Sequence, residues 1–151
     1  MRGGKDLMRK KILIVEDNSE LLELMRLGLK QAGFRTVTAS NGVDALELAR
    51  SATPDLVVLD LVLPELDGFA VCECLRRSEA TASIPLIVLT GLSSEFARFA
   101  SFESGADEYV TKPISPEKLV SKIKQLLRRP AKARSPKPGM CARPEPAAGV
   151  C

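Results

Sequence analysis

Five side chains suited to handling a phosphate-sized group stand directly behind short, mostly apolar runs in this chain. Glu16 and Asp17 follow Ile12–Val15, Asp60 follows Leu56–Leu59, Thr90 follows Leu86–Leu89, and Lys112 follows the weaker run Glu108–Thr111. Three carboxylates brought together repel one another, and their pKa values rise unless a cation lies beside them. An all-oxygen donor set with few carboxylates suits Mg2+, which keeps several waters and shares phosphate oxygens. An ammonium and a hydroxyl would hold the remaining oxygens of a phosphoryl group. That combination reads as a metal-assisted phosphoryl site with Asp60 as its carboxylate nucleophile. The chain has no histidine, which excludes imidazole bases, triads and histidine metal sites.

Such a constellation needs a scaffold that delivers all five residues to one edge. The runs Ile12–Val15, Leu56–Leu59 and Leu86–Leu89 lack polar alternation, as strands covered on both faces do. Thr36–Ala39 and Glu108–Thr111 are weaker strands. Helical stripes fall between them, over residues 19–32, 43–51, 67–78, 94–104 and 116–129, with Pro116 at a first turn. In the fourth stripe Phe96 and Phe99 read as core-facing, and Phe102 lies off the axis. Strand then helix, five times over, means an α/β fold with a doubly wound parallel sheet and right-handed crossovers. Ligand sites of such sheets lie at the carboxyl ends of the strands, where the five residues fall. The second strand is followed only by Ser40, Asn41 and Gly42, a plain turn.

Charge and composition narrow the function further. Residues 1–9 read as a flexible arm, 10–129 as one folded domain and 130–151 as a disordered, Pro/Ala-rich basic tail. The tail holds five of the ten prolines and the whole formal charge of +3. The remaining 129 residues carry 18 basic and 18 acidic side chains, a poor electrostatic match for nucleic acid. No apolar run is long enough to span a membrane, and the charged N-terminus lacks a signal-peptide core, so the expected location is cytoplasmic. The four cysteines read as reduced thiols, with a structural zinc site as the alternative. No P-loop or dinucleotide-binding glycine motif occurs. An aspartyl-phosphate phosphatase of the haloacid dehalogenase type needs a second aspartate two residues after its nucleophile, and that position is Val62.

Four segments, Lys11–Asn18, Asp55–Gly68, Ile84–Gly91 and Gly105–Pro113, together resemble the receiver domain of two-component response regulators, in particular single-domain, chemotaxis-regulator-like members. The resemblance spans about residues 10–129. It implies a flavodoxin-like five-stranded sheet of order 2-1-3-4-5. It implies that Asp60 accepts a phosphoryl group from a histidine kinase or phosphotransfer protein, and that Glu16 and Asp17 hold Mg2+ together with Asp60 and the backbone carbonyl of Val62. It further implies that Thr90 moves to meet the phosphoryl group, that Lys112 pairs with it, that the Lys112–Pro113 bond is cis, and that Tyr109 is an aromatic switch. Pro64 and Gly68 would shape the loop after Asp60, and Val62, Leu92 and Ile114 are variable positions thought to tune dephosphorylation.

The resulting expectation is a stand-alone, phosphorylation-activated switch. It would catalyse its own phosphorylation and slow dephosphorylation, without turnover of external substrates. Phosphorylation would alter the face made by the fourth helix, fifth strand and fifth helix and so bias binding of a downstream protein. The domain would be a monomer or weak dimer, with no direct nucleic-acid contact and no membrane insertion. Two alternatives stand beside this: a receiver cut from a larger DNA-binding regulator or hybrid kinase, and a phosphorylation-independent binding module.

Overall fold

The strands form where the apolar runs predict them. In the computed structural model, which describes residues 9–129, β1 (Lys11–Val15), β3 (Leu56–Leu59) and β4 (Leu86–Thr90) occupy the middle of the sheet. Apart from Lys11 at the start of β1, every residue of these three strands is buried, as continuous apolar strands covered on both faces must be. The weaker runs become the edges, β2 (Arg35–Ala39) and β5 (Glu108–Thr111). All pairings are parallel and the order is β2-β1-β3-β4-β5. Expectations for residues 1–8 and for the 130–151 tail lie outside the described residues.

Helices α1 (Ser19–Gln31), α2 (Gly42–Ser51), α3 (Gly68–Arg77), α4 (Glu95–Glu103) and α5 (Pro116–Leu127) connect the strands. Each begins on a side-chain cap, from Asn18, Asn41, Asp67, Ser94 and Ser115, whose oxygen accepts a backbone N–H of the first turn. Such caps satisfy donors that the helix itself leaves open. Ile12, Ile14, Leu56, Val58, Ile87, Leu89 and Val110 point to one face, where α1 and α5 cover them with Met25, Leu29, Leu119, Ile123 and Leu126. Leu13, Val15, Val57, Leu59, Leu86 and Val88 point to the other, under residues of α2 and α3 such as Ala45, Leu46, Val71 and Leu75. The fold is therefore the doubly wound α/β sheet with helices on both faces.

Two sequence expectations fail. Phe96 and Phe99 are 77% and 64% exposed, not in the core. Helix α4 seats small residues instead, Ala97 and Ser101, and the Ser101 hydroxyl donates to the Ala97 carbonyl. Phe102 is half-buried, with the Arg98 guanidinium 5.4 Å from its ring centre. The second failure concerns the cysteines. Cys74 is disulfide-bonded, so among the described residues only Cys72 is a free thiol. Complete burial pushes that thiol up to about 12, which leaves it unreactive.

One buried charge ties the amino edge of the sheet together. Arg76, 4% exposed, pairs with Asp107 at 3.0 Å. It also donates to the carbonyls of Gly105, Ala82 and Ile84. Asp107 in turn accepts the Leu86 N–H that opens β4. Gly105 has φ +115°, and a Cβ there would lie 2.5 Å from Arg76 Cγ, so glycine is required both by conformation and by space. Among the described residues, no helix is long and apolar enough to cross a membrane.

Candidate phosphoryl-acceptor site

Register brings the acids together. Val15 pairs with Leu59 across β1 and β3, so the next residues, Glu16 and Asp60, leave the sheet side by side. Backbone bonds hold both: Glu16 N donates to Ala39 O at 3.0 Å and Asp60 N to Val15 O at 3.1 Å. Glu16 and Asp60 are 2% and 5% exposed, while Asp17 faces solvent. Carboxylate oxygens of the three acids all lie within 4.8 Å of one another.

Lys112 reaches into this cluster from the end of β5. Its Nζ is 2.8 Å from Glu16 Oε1 and 2.9 Å from Asp60 Oδ2. The other Asp60 oxygen accepts the N–H of Val62 at 3.1 Å, and Glu16 Oε2 accepts that of Asn18 at 3.2 Å. Burial raises the Glu16 pKa above its usual range, against the hydrogen bonds from Lys112 and the Asn18 amide, which lower it. Burial pulls Lys112 down, but its hydrogen bonds to Glu16 and Asp60 outweigh that and leave its pKa raised. The ammonium thus stays charged between two buried carboxylates.

Thr90 closes β4, fully buried, and its hydroxyl oxygen accepts the Leu92 N–H at 3.3 Å. Its carbonyl accepts the Lys112 N–H at 2.8 Å, so hydroxyl and ammonium are set by one rung of the ladder. The Lys112–Pro113 bond is cis. Tyr109 is half-buried on β5, and its hydroxyl donates to the carbonyl of Leu92. That contact joins β5 to the loop that follows Thr90. Val62 lies on the exposed loop that follows Asp60.

Gly68 presses on the backbone behind Asp60. Its N–H donates to Leu61 O at 2.9 Å, and a Cβ at this position would sit 2.4 Å from Leu61 Cα and 2.7 Å from Asp60 O. Neither atom can yield without moving Asp60. Gly68→Ala is therefore expected to destabilise the domain by about 1–3 kcal/mol, the usual cost of overpacking, measured by urea denaturation. The same shift would displace Asp60 from Lys112, and a variant as stable as the parent would refute the tight approach.

Glu16, Asp17, Asp60, Thr90 and Lys112 thus meet at one carboxyl edge, with Val62 and Tyr109 on the adjoining loop and strand. The spacing could not divide the labour between Glu16 and Asp17; burial does. It also passes over a cleft beside Lys112 between α1 and the β5–α5 loop, since Leu24 stands off the apolar stripe of α1. The donor chemistry fits Mg2+: three carboxylates, all oxygen ligands, one of them open to water.

A family model described as the response regulator receiver domain matches residues 12–124. The chain is 42% identical over 122 residues to the alkaline phosphatase synthesis transcriptional regulatory protein PhoP of Bacillus subtilis, covering 81% of this chain and 50% of that protein. It is 42% identical over 119 residues to the DNA-binding dual master transcriptional regulator RpaA of Synechocystis, covering 79% and 49%. It spans about half the length of these curated relatives. Among solved structures, the receiver domain of the sensor histidine kinase PA1611 from Pseudomonas aeruginosa, with a magnesium ion coordinated in its active-site cleft, superposes with a TM-score of 0.75 at 26% identity, covering 80% of this chain and 99% of that one.

Proposed function

The chain belongs to the response regulator receiver-domain family of two-component systems, and from that footing we propose that residues 10–129 form a phosphorylation switch with Asp60 as acceptor. The donor is the phosphohistidine of a histidine kinase or phosphotransfer protein. The observation that carries this reading is the convergence of three carboxylates, one ammonium and one hydroxyl on a single edge of the sheet. Asp60 attacks phosphorus, while Lys112 and the Thr90 hydroxyl hold the equatorial oxygens. Glu16, Asp17, Asp60 and the Val62 carbonyl would hold Mg2+, which would supply neutralisation of the charge that builds there.

The output follows from the Tyr109–Leu92 contact. Moving Thr90 toward a phosphoryl group moves the Leu92 loop, and with it the partner of the Tyr109 hydroxyl. The α4–β5–α5 face then has two arrangements, and a protein that prefers one reads the phosphorylation state. That protein is either a separate target or an output domain of a longer chain. The second reading is favoured by the curated relatives, which are transcriptional regulators of which this chain matches about half. The receiver itself would then make no direct nucleic-acid contact.

Incubation with Mg2+ and acetyl phosphate is expected to add one phosphoryl group by intact mass. Asp60→Asn is expected to abolish it, as is chelation of Mg2+. An adduct that persists in Asp60→Asn would remove Asp60 from the role.

A further inference from the structure

Helix α3 carries a covalent bond that the phosphoryl chemistry leaves unused. The chain has four cysteines, Cys72, Cys74, Cys141 and Cys151. Cys72 is free and Cys74 is disulfide-bonded, so within this chain the partner of Cys74 is Cys141 or Cys151. Both belong to the Pro/Ala-rich tail, beyond the described residues. Two positions apart on one helix, Cys72 and Cys74 point about 200° apart around its axis. Cys72 is wholly buried, and burial pushes its thiol up to about 12, which withholds the thiolate that disulfide exchange needs. Exchange therefore falls to Cys74.

We propose that Cys74 anchors the chain beyond α5 to α3 through a reversible disulfide, with Cys141 as its main partner, and so makes the domain responsive to thiol redox state. Reach permits the bond. Helices α3 and α5 both run back from the carboxyl edge of the sheet and end at its amino edge, on opposite faces. Cys74 lies in the last turn of α3, and Arg129 stands just past α5. Layers of helix, sheet and helix separate the two faces by about 20 Å, whereas the 12 residues from Arg129 to Cys141 extend to about 40 Å. Cys151 is 10 residues farther along. The effective concentration of a tethered group falls roughly as the −3/2 power of tether length, which favours Cys141 about 2.5-fold. The oxidant is a low-molecular-weight disulfide such as glutathione disulfide. One protein thiolate attacks it and expels one small thiolate, and the second protein thiolate attacks the mixed disulfide and expels the other. One S–S bond breaks as another forms, and the two electrons and two protons given up by the protein thiols leave on two small thiols. Phosphoryl transfer belongs to the carboxyl edge and this bond to the amino edge, so the domain holds two inputs that share no residue.

The test equilibrates the full chain with glutathione disulfide in excess over glutathione and caps the remaining thiols with N-ethylmaleimide in denaturant. Trypsin and a glutamate-specific protease then digest it without reduction. Glu73 stands between the two cysteines of α3, so cleavage after it separates them. The expected product by mass is the Cys74 fragment joined to a tail fragment, released by dithiothreitol, with Cys72 capped. Fragment ions are expected to place about 2.5 times as much of the bond on Cys141 as on Cys151. Cys74→Ser and the double variant Cys141→Ser/Cys151→Ser are each expected to lose the joined fragment. The double variant leaves α3 untouched, so its result does not depend on how a substituted helix folds. A joined fragment that contains Cys72, a bond that links two chains on a non-reducing gel, or no bond to Cys74 at any glutathione ratio overturns the proposal. A larger share on Cys151 overturns the assignment to Cys141.

Discussion

Lys112→Met is expected to slow phosphorylation of the domain by about 100- to 1000-fold, the scale on which one preorganised donor to a developing oxyanion contributes. The measurement is the rate of mass gain with acetyl phosphate. The same variant is expected to lose about 1–3 kcal/mol of stability at neutral pH, because two buried carboxylates lose their shared hydrogen-bond donor. The pH dependence carries the mechanism. In the parent, Lys112 has a pKa raised above its ordinary 10.5. Its contribution is full below that value and fades as pH rises through the folded-state pKa. In the variant, Glu16 keeps the burial that raises its pKa and loses the lysine that lowers it. A carboxyl with a raised folded pKa is destabilising while ionised, and that penalty fades as pH falls through the raised value toward the unfolded one. The gap in stability between variant and parent should therefore narrow on acidification. Glu16→Gln in the Lys112→Met background is expected to restore part of the loss at neutral pH. A gap that is flat from pH 8 to pH 5 would mean that Glu16 does not feel Lys112.

The largest loss of stability is expected from Arg76→Leu, about 3–5 kcal/mol, because a buried ion pair loses one partner and leaves the other. Asp107 keeps only its bond from Leu86 N, and the carbonyls of Gly105, Ala82 and Ile84 lose theirs. Arg50→Ala, at an exposed position on α2, serves as the control and is expected to change stability by less than about 0.5 kcal/mol. Urea denaturation compares the two. A loss near 1 kcal/mol for Arg76→Leu would show that the network is dispensable and that water replaces the guanidinium.

Arg76 also shows where the sequence stops being readable. Two adjacent arginines in the last turn of α3 read as solvated charges near a helix C-terminus. What buries one of them is a set of acceptors from the α3–β4 and α4–β5 loops, up to 31 residues away, and no local pattern marks them. The site was legible for the opposite reason. Each of its five polar residues ends a strand or lies within two residues after one, the central strands announce themselves as all-apolar runs, and a parallel sheet sends every carboxyl end to one edge. Helix α4 misled because the periodicity counts large apolar residues, whereas its interface with the sheet is built from Ala97 and Ser101. Phe96 and Phe99 are left outside. The cleft beside Lys112 was invisible because its walls come from α1, β4, the β5–α5 loop and α5.

The Tyr109–Leu92 contact has an optical consequence. The chain contains no tryptophan and a single tyrosine, and that tyrosine donates its hydroxyl to the loop behind Thr90. Tyrosine emission from the unlabelled protein therefore comes from one ring at the proposed switch. A phenol's fluorescence depends on what its hydroxyl touches, so breaking the contact should alter intensity and lifetime. Stopped-flow mixing with a phosphodonor would then time the rearrangement from within the wild-type sequence, with no dye attached.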